Sequence, residues 1–154
     1  MTPSIELSPL LPGHIPAVAA AEKQCFSDPW SENMLRDELH NPLSHWFVLL
    51  LDGKIAGYLA TLSICGEVHV ANVAVLPAYR RRGLARVMLT HAVAYAREQG
   101  AFCLTLEVRE SNTPAIALYR AFDFETVGRR PRYYQDPEED ALLMTKTLSE
   151  EPLC

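Results

Sequence analysis

The sequence predicts a mixed α/β domain, a sheet with helices on its faces, and three observations carry that expectation. Apolar periodicity persists from Ile5 to Leu148 with no linker, repeat or low-complexity tract. Strand-sized apolar runs alternate with stretches of helical spacing, in the order β-α-α-β-β-β-α-β-α-β-β. Finally, 154 residues with a hydrophobic fraction of 49% and a charged fraction of 21% suit one domain able to bury its own core.

Ile5 to Leu10 reads as a short first strand, and Gly13 to Phe26 as a helix whose Ile15, Val18, Ala19, Ala21 and Cys25 partly follow helical spacing. Pro29 pushes Asp28 out of the helical region, so Ser27 to Trp30 is a turn. Ser31 is a good N-cap for a second helix, Glu32 to His40, which Asn41-Pro42 ends. His45 to Leu51, the Asp52-Gly53 turn and Lys54 to Ile64 form a hairpin. Val68 to Val75 is the next strand, stopped by Pro77.

Leu84, Val87, Met88, Ala92 and Tyr95 share one broad face of a helix from Leu84 to Gln99, with Gly100 as its C-cap. Phe102 to Val108 is near-continuously apolar, as in a strand covered on both faces. Pro114 suits the first position of a helix to Phe122, and Glu125 to Arg129 and Ala141 to Leu148 supply two last strands. The expected domain covers residues 1–148, with a loose tail over 149–154.

Composition limits the function classes. No stretch reaches the roughly 20 apolar residues of a membrane span, and Met1 to Leu10 lacks the basic and apolar regions of a secretory signal, so a cytoplasmic protein is expected. Cys25, Cys65, Cys103 and Cys154 are widely spaced, and His14, His40, His45, His69 and His91 show no metal spacing; buried thiols and surface or satisfied core histidines are expected, with no metal. A net charge of −5 argues against direct nucleic-acid binding and suits a basic partner. The charge is uneven: Arg80 to Arg82 and Arg129 to Arg132 are basic, Glu138 to Asp140 acidic.

The sharpest segment is Val73-Ala74-Val75-Leu76-Pro77-Ala78-Tyr79-Arg80-Arg81-Arg82-Gly83-Leu84-Ala85-Arg86, where a strand ends at a proline and a basic, glycine-containing turn opens into an amphipathic helix. Such a turn aims unpaired N–H groups at one spot and adds the positive end of the helix dipole, which suits a pyrophosphate. Arginines add charge-assisted hydrogen bonds to phosphate. A solvated basic helix start is the plainer reading of Arg-Arg-Arg-Gly taken alone; the strand-loop-helix context favours an anion site. It is neither a P-loop nor a G-x-G-x-x-G fingerprint.

Arg80-Arg81-Arg82-Gly83-Leu84-Ala85 resembles the acyl-CoA loop Q/R-x-x-G-x-G/A of the GNAT superfamily. Leu106-Glu107-Val108-Arg109-Glu110-Ser111-Asn112, Ala115 to Tyr119, Pro29-Trp30-Ser31 and Arg132-Tyr133-Tyr134 are similar to the RimI-type ribosomal-protein N-terminal alanine acetyltransferases. That resemblance implies the GNAT fold, with a mostly antiparallel sheet, and acetyl-CoA as cosubstrate. It further implies direct transfer in a ternary complex to the α-amine of a basic ribosomal protein starting with alanine or a similar small residue; a GNAT acetyltransferase of a small-molecule amine and a non-catalytic CoA-binding module are the alternatives, and a monomer is expected.

Carried over by position, Glu107 is the general base, through water, and Tyr119 protonates the departing thiolate. Asn112 contacts CoA, Val73, Ala74 and Val75 offer main-chain groups to the pantetheine and thioester, and Arg81, Arg82, Gly83, Leu84, Ala85 and Arg86 cradle the pyrophosphate. Pro29, Trp30, Tyr133 and Tyr134 are candidates for the peptide groove. Each residue also has a structural reading: Glu107 paired with Arg109 or another base, Tyr119 and Trp30 packed in the core, Asn112 capping the next helix, Cys103 buried. Asp123 stands where relatives usually carry glycine, and aspartate tolerates a left-handed cap moderately well.

Overall fold

The computed structural model describes residues 4–149. Seven strands form one sheet in the order β1-β2-β3-β4-β5-β7-β6. The strands are β1 (Ile5–Pro9), β2 (Ser44–Leu51), β3 (Lys54–Ile64), β4 (Glu67–Val75), β5 (Cys103–Arg109), β6 (Glu125–Tyr134) and β7 (Glu139–Thr147). The helices are α1 (Ile15–Cys25), α2 (Glu32–Glu38), α3 (Leu84–Glu98) and α4 (Thr113–Ala121). All pairings are antiparallel except β4 with β5.

That parallel pairing positions everything that follows, because it is short. It joins Glu67 to Cys103, Val68 to Leu104 and His69 to Thr105, and stops there. Beyond it β4 stays paired to β3 as far as Val75, and β5 to β7 as far as Arg109. The two strands therefore diverge, and each presents main-chain groups to the gap that no neighbouring strand satisfies. A register shift in β4 between Asn72 and Val70, opposite Ala60 and Thr61, marks a bulge at Ala71. The bulge reverses the alternation: Val68 and Val70 face one layer of the core before it, and Val73 and Val75 face the same layer after it.

Two apolar layers cover the sheet. On one face Leu84, Met88, Ala92 and Ala96 of α3 and Ile116 of α4 pack on Leu104, Leu106 and Val108 of β5. On the other, Ile15 and Val18 of α1 and Leu35 of α2 pack on Trp46, Val48, Tyr58 and Ala74. At Gly57 of β3 a Cβ would lie 2.5 Å from the Ala74 carbonyl oxygen of β4 and 3.2 Å from Met88 Cε of α3, so glycine is what lets these neighbours approach.

Element order, the β2–β3 hairpin and the mostly antiparallel sheet agree with the sequence reading; the differences lie at the ends of elements. The second helix stops at Glu38 rather than His40, because the chain tightens into i to i−3 bonds, with His40 N–H donating to Asp37 O and Asn41 N–H to Glu38 O. β6 runs on from Arg129 to Tyr134, through Pro131, which an edge strand tolerates because its outer N–H positions need no partner. The two charge runs meet across this hairpin: Arg132 pairs with Glu138 at 3.3 Å, Arg129 with Asp140 at 3.5 Å, and Arg109 with Glu139 at 3.3 Å. The acidic run is thus largely neutralised by the chain's own arginines, and its ion pairs are mostly exposed ones of small individual worth. Of the tail expected over 149–154, only Ser149 is described, its N–H donating to Phe102 O; the rest lies outside the described residues.

Candidate active site

Gly83 is the N-cap of α3 and adopts φ 74°, ψ 17°, the left-handed region that glycine enters freely. Arg81 is also left-handed at φ 65°, a conformation that costs a non-glycine residue about 1–2 kcal/mol and that clusters at ligand-binding turns. No side chain caps the helix, and its first main-chain bond is Val87 N–H to Gly83 O. The amides of Leu84, Ala85 and Arg86 consequently have no acceptor within the helix.

The arginines around this turn differ in their use. Arg80 faces back, its Nε–H donating to Val75 O at 3.1 Å, and so ties the turn to the end of β4. Arg82 rests over the ring of Tyr79 and Arg86 over that of Phe122, each 5.6 Å from the centroid. Among the described residues, none of Arg80, Arg81, Arg82 and Arg86 forms an ion pair with a carboxylate. Positive charge and free amides coincide without an internal anion, as an anion-binding helix start requires.

Glu107 lies on β5 just past the last parallel pair, and its carboxylate meets the imidazole of His69, the β4 residue of that pair, at 2.5 Å between Oε2 and Nε2. Both side chains are only partly exposed, 30% for His69 and 16% for Glu107. The hydrogen bond from His69 holds the Glu107 carboxyl below the usual carboxylate range, against the upward push of burial and with smaller help from the charges of His69 and Arg130. Arg109, the partner considered from sequence, instead donates to Pro137 O, Gln135 O and Glu139, and stacks over Tyr134 at 4.5 Å.

Tyr119, half-buried on α4, packs against Phe124 at 5.8 Å between centroids. Burial pushes its phenol up to about 12, so it holds its proton throughout the neutral range. Tyr134 on β6 links the two halves electrostatically: burial first, then Tyr133, Glu107 and Tyr119, all raise its pKa, while Arg109 opposes them. The structure thus brings Glu107, His69, Tyr133 and Tyr134 into one neighbourhood with Tyr119 bordering it. Asn112 is the N-cap of α4, its Oδ1 accepting from Ala115 N–H at 3.3 Å. Trp30 packs edge-on against Trp46 at 5.3 Å. Asp123 takes φ 68°, the left-handed cap expected of it.

Two residues of this region escaped the sequence reading. The sequence places His69 among surface or satisfied core histidines; its partner stands 38 positions away, across a parallel pairing with no local signature. Glu22 on α1 is 1% exposed and accepts from the Tyr58 hydroxyl, from Asn72 Nδ2 at 3.1 Å and from the Trp30 N–H at 3.0 Å. A signal existed for Glu22, since it falls at helical spacing from Ile15, Val18 and Ala19 on the apolar stripe, where a carboxylate must be partnered.

Comparison with known proteins accords with this fold. The family model described as "Acetyltransferase (GNAT) family" matches residues 15–124. The [ribosomal protein bS18]-alanine N-acetyltransferase of Escherichia coli K12 is 35% identical over 137 residues, covering 88% of this chain and 92% of that protein. The N-alpha-acetyltransferase RimI of Mycobacterium tuberculosis is 36% identical over 135 residues, covering 83% of each. Among solved structures, the Escherichia coli ribosomal-protein-S18-alanine N-acetyltransferase superposes with a TM-score of 0.87 at 33% identity over 97% of both chains. Arabidopsis thaliana NAA60 in complex with acetyl-CoA, at 16% identity, shares the fold with a TM-score of 0.86 over 94% of this chain and 99% of that one. With a matching sheet, a matching family model and relatives of this identity along most of its length, the chain belongs to the GNAT acetyltransferase family and is an acyltransferase of the N-acetyltransferase kind.

Proposed function

We propose that the protein is an acetyl-CoA-dependent N-α-acetyltransferase that acetylates the N-terminal alanine, or a similar small residue, of a basic ribosomal protein. Transfer is direct, within a ternary complex, in a single domain over residues 1–148 acting in the cytoplasm. The observation that carries the reading is the divergence of β4 and β5: the basic start of α3 follows the open end of β4, while the Glu107 carboxylate stands near the apex. From His69 to Val75 the strand spans roughly 20 Å at about 3.3 Å per residue. An extended pantetheine arm can follow that path from diphosphate to thioester.

In this reading the amides of Leu84, Ala85 and Arg86 and the side chains of Arg81, Arg82 and Arg86 hold the diphosphate. Gly83 keeps the main chain bare where the ligand comes close. Main-chain groups of Val73, Ala74 and Val75 that face the gap hold the pantetheine and polarise the thioester oxygen. Asn112 contacts CoA while capping α4. The base function resides at Glu107, for an ammonium is unreactive until it loses a proton. Tyr119 supplies the thiolate's proton; the burial that raises its own pKa acts on a thiolate formed beside it in the same direction. Pro29, Trp30, Tyr133 and Tyr134 wall the acceptor side. Support for the substrate class comes from the named activity of the Escherichia coli relative and from a net charge of −5.

Incubation with acetyl-CoA and peptides differing in their first residue, read by mass spectrometry, tests the proposal. Label on the α-amine of Ala- or Ser-starting peptides is expected. Acetylation confined to small-molecule amines, or acetyl-CoA binding without any product, would overturn it.

A further inference from the structure

His69 and Glu107 form a pair whose geometry assigns the two members unequal parts. Glu107 sits deeper, and its Oε2 is satisfied by His69 Nε2 at 2.5 Å. His69 is the more open of the two, at 30% against 16%, and among the described residues its Nδ1 has no hydrogen-bond partner. It is also the last β4 residue paired to β5, so its ring stands where the gap begins. A carboxylate that fixes one imidazole nitrogen and leaves the other free sets the tautomer and ring orientation that a proton acceptor needs. The remaining charged and titratable groups bearing on the pair are Arg130, Tyr133 and Tyr134, all from β6.

Resting on the transferase reading above, but moving the accepted proton from Glu107 to its hydrogen-bonded neighbour, we infer that His69 and Glu107 act as one proton-accepting unit, in which Glu107 orients the imidazole and His69 Nδ1, in place of the carboxylate, takes the proton lost by the attacking α-ammonium. The step balances as follows. R–NH3+ gives one proton to Nδ1, leaving an imidazolium beside the Glu107 carboxylate, which stabilises it. The freed nitrogen lone pair attacks the acetyl carbonyl carbon, the C–N bond forms, and the C–S bond breaks with its electron pair leaving on sulfur. The thiolate takes the Tyr119 proton; the second nitrogen proton, lost as the amide forms, returns to Tyr119 through solvent, and His69 releases its own to solvent. A carboxylate held low by the hydrogen bond it accepts retains a proton poorly, and the free ring nitrogen beside it is the better placed acceptor.

The test compares wild type, His69→Gln, and His69→Ala with and without added imidazole, on an Ala-starting peptide, with acetyl-CoA affinity followed by calorimetry as a check on folding. Glutamine reaches the Nε2 position and can still donate to Glu107, but it cannot accept a proton. Both variants are expected to lose about 10²-fold in kcat with peptide KM changed little. Free imidazole is expected to restore turnover to His69→Ala and not to His69→Gln. Wild-type kcat in His69→Gln would overturn the assignment and leave His69 as a support for Glu107. Absence of α-amine transfer by the wild type itself would instead sink the transferase reading.

Discussion

The Glu22 carboxylate of α1 accepts a hydrogen bond from the Tyr58 hydroxyl of β3 in the interior of the layer that α1 and α2 form on the sheet. Through the same carboxylate, α1 holds Asn72, next to the β4 bulge, and the Trp30 N–H, just before α2. The loop that carries Trp30 is thus fastened to β3 and β4, and β4 is one of the two strands that border the gap. Removing the carboxylate leaves the buried Tyr58 hydroxyl and the partly buried Asn72 amide without this acceptor. Glu22→Ala is expected to cost about 3 kcal/mol, read as a fall of several degrees in Tm, and to raise peptide KM through the loosened loop. Unchanged thermal unfolding would show that the network contributes nothing net.

At Gly83 the space beside the Cα is empty, with nothing within 4 Å of a Cβ placed there, so any penalty inside the protein comes from the left-handed backbone. Gly83→Ala is expected to lose about 1 kcal/mol of stability by chemical denaturation. Gly83→Glu carries the same strain and adds a negative charge where a diphosphate is proposed, so acetyl-CoA affinity should fall at least about 10²-fold with the fold intact. Equal affinity in Gly83→Glu and wild type would remove the turn from the binding site.

Tyr119→Phe keeps the ring packed on Phe124 and deletes the proton. Turnover should fall about 10²-fold while acetyl-CoA binding holds, measured by steady-state kinetics beside calorimetry. Stability carries a second signature. Because the folded-state pKa, about 12, lies above the ordinary tyrosine value, the folded chain keeps this proton longer than the unfolded one. Its contribution is complete below about pH 10 and fades as pH rises through the folded value. Tyr58 and Tyr134 act in the same sense, so Tyr119→Phe should lessen, and not abolish, the loss of Tm between neutral and alkaline solution.

The opposite sign holds at Glu107. Its folded-state pKa is depressed, chiefly by the His69 hydrogen bond, so the unfolded chain takes up the proton first as pH falls. The contribution is complete above about pH 4.3 and is lost as pH drops through the folded value. Glu107→Gln should flatten the acid side of a Tm-against-pH curve and leave the neutral region nearly unchanged; an identical acid slope in both proteins would contradict the His69 contact.

Much of this architecture was legible in the residues because the deciding signals were local. The Asp52-Gly53 turn set the β2–β3 hairpin, Ser31 and Asn112 cap the helices they precede, and Arg80 to Gly83 form the basic turn that opens α3. What escaped depends on long-range pairing. The extension of β6 through Pro131 follows from its place at the sheet edge, which the order of strands in sequence does not reveal. The bulge at Ala71 has no residue type that demands it, yet it places Asn72 beside Glu22. The partnership of His69 with Glu107 exists only because β4 and β5 pair for three residues and then part.

The reading depends most directly on coenzyme A being gripped at the start of α3, with its acetyl group carried into the gap between β4 and β5. Isothermal titration of the purified chain with acetyl-CoA addresses this alone. Saturable binding with one molecule per chain, weakened by Gly83→Glu and preserved in Tyr119→Phe, is the expected result. No association of wild type with acetyl-CoA at any attainable concentration would contradict the account at its root.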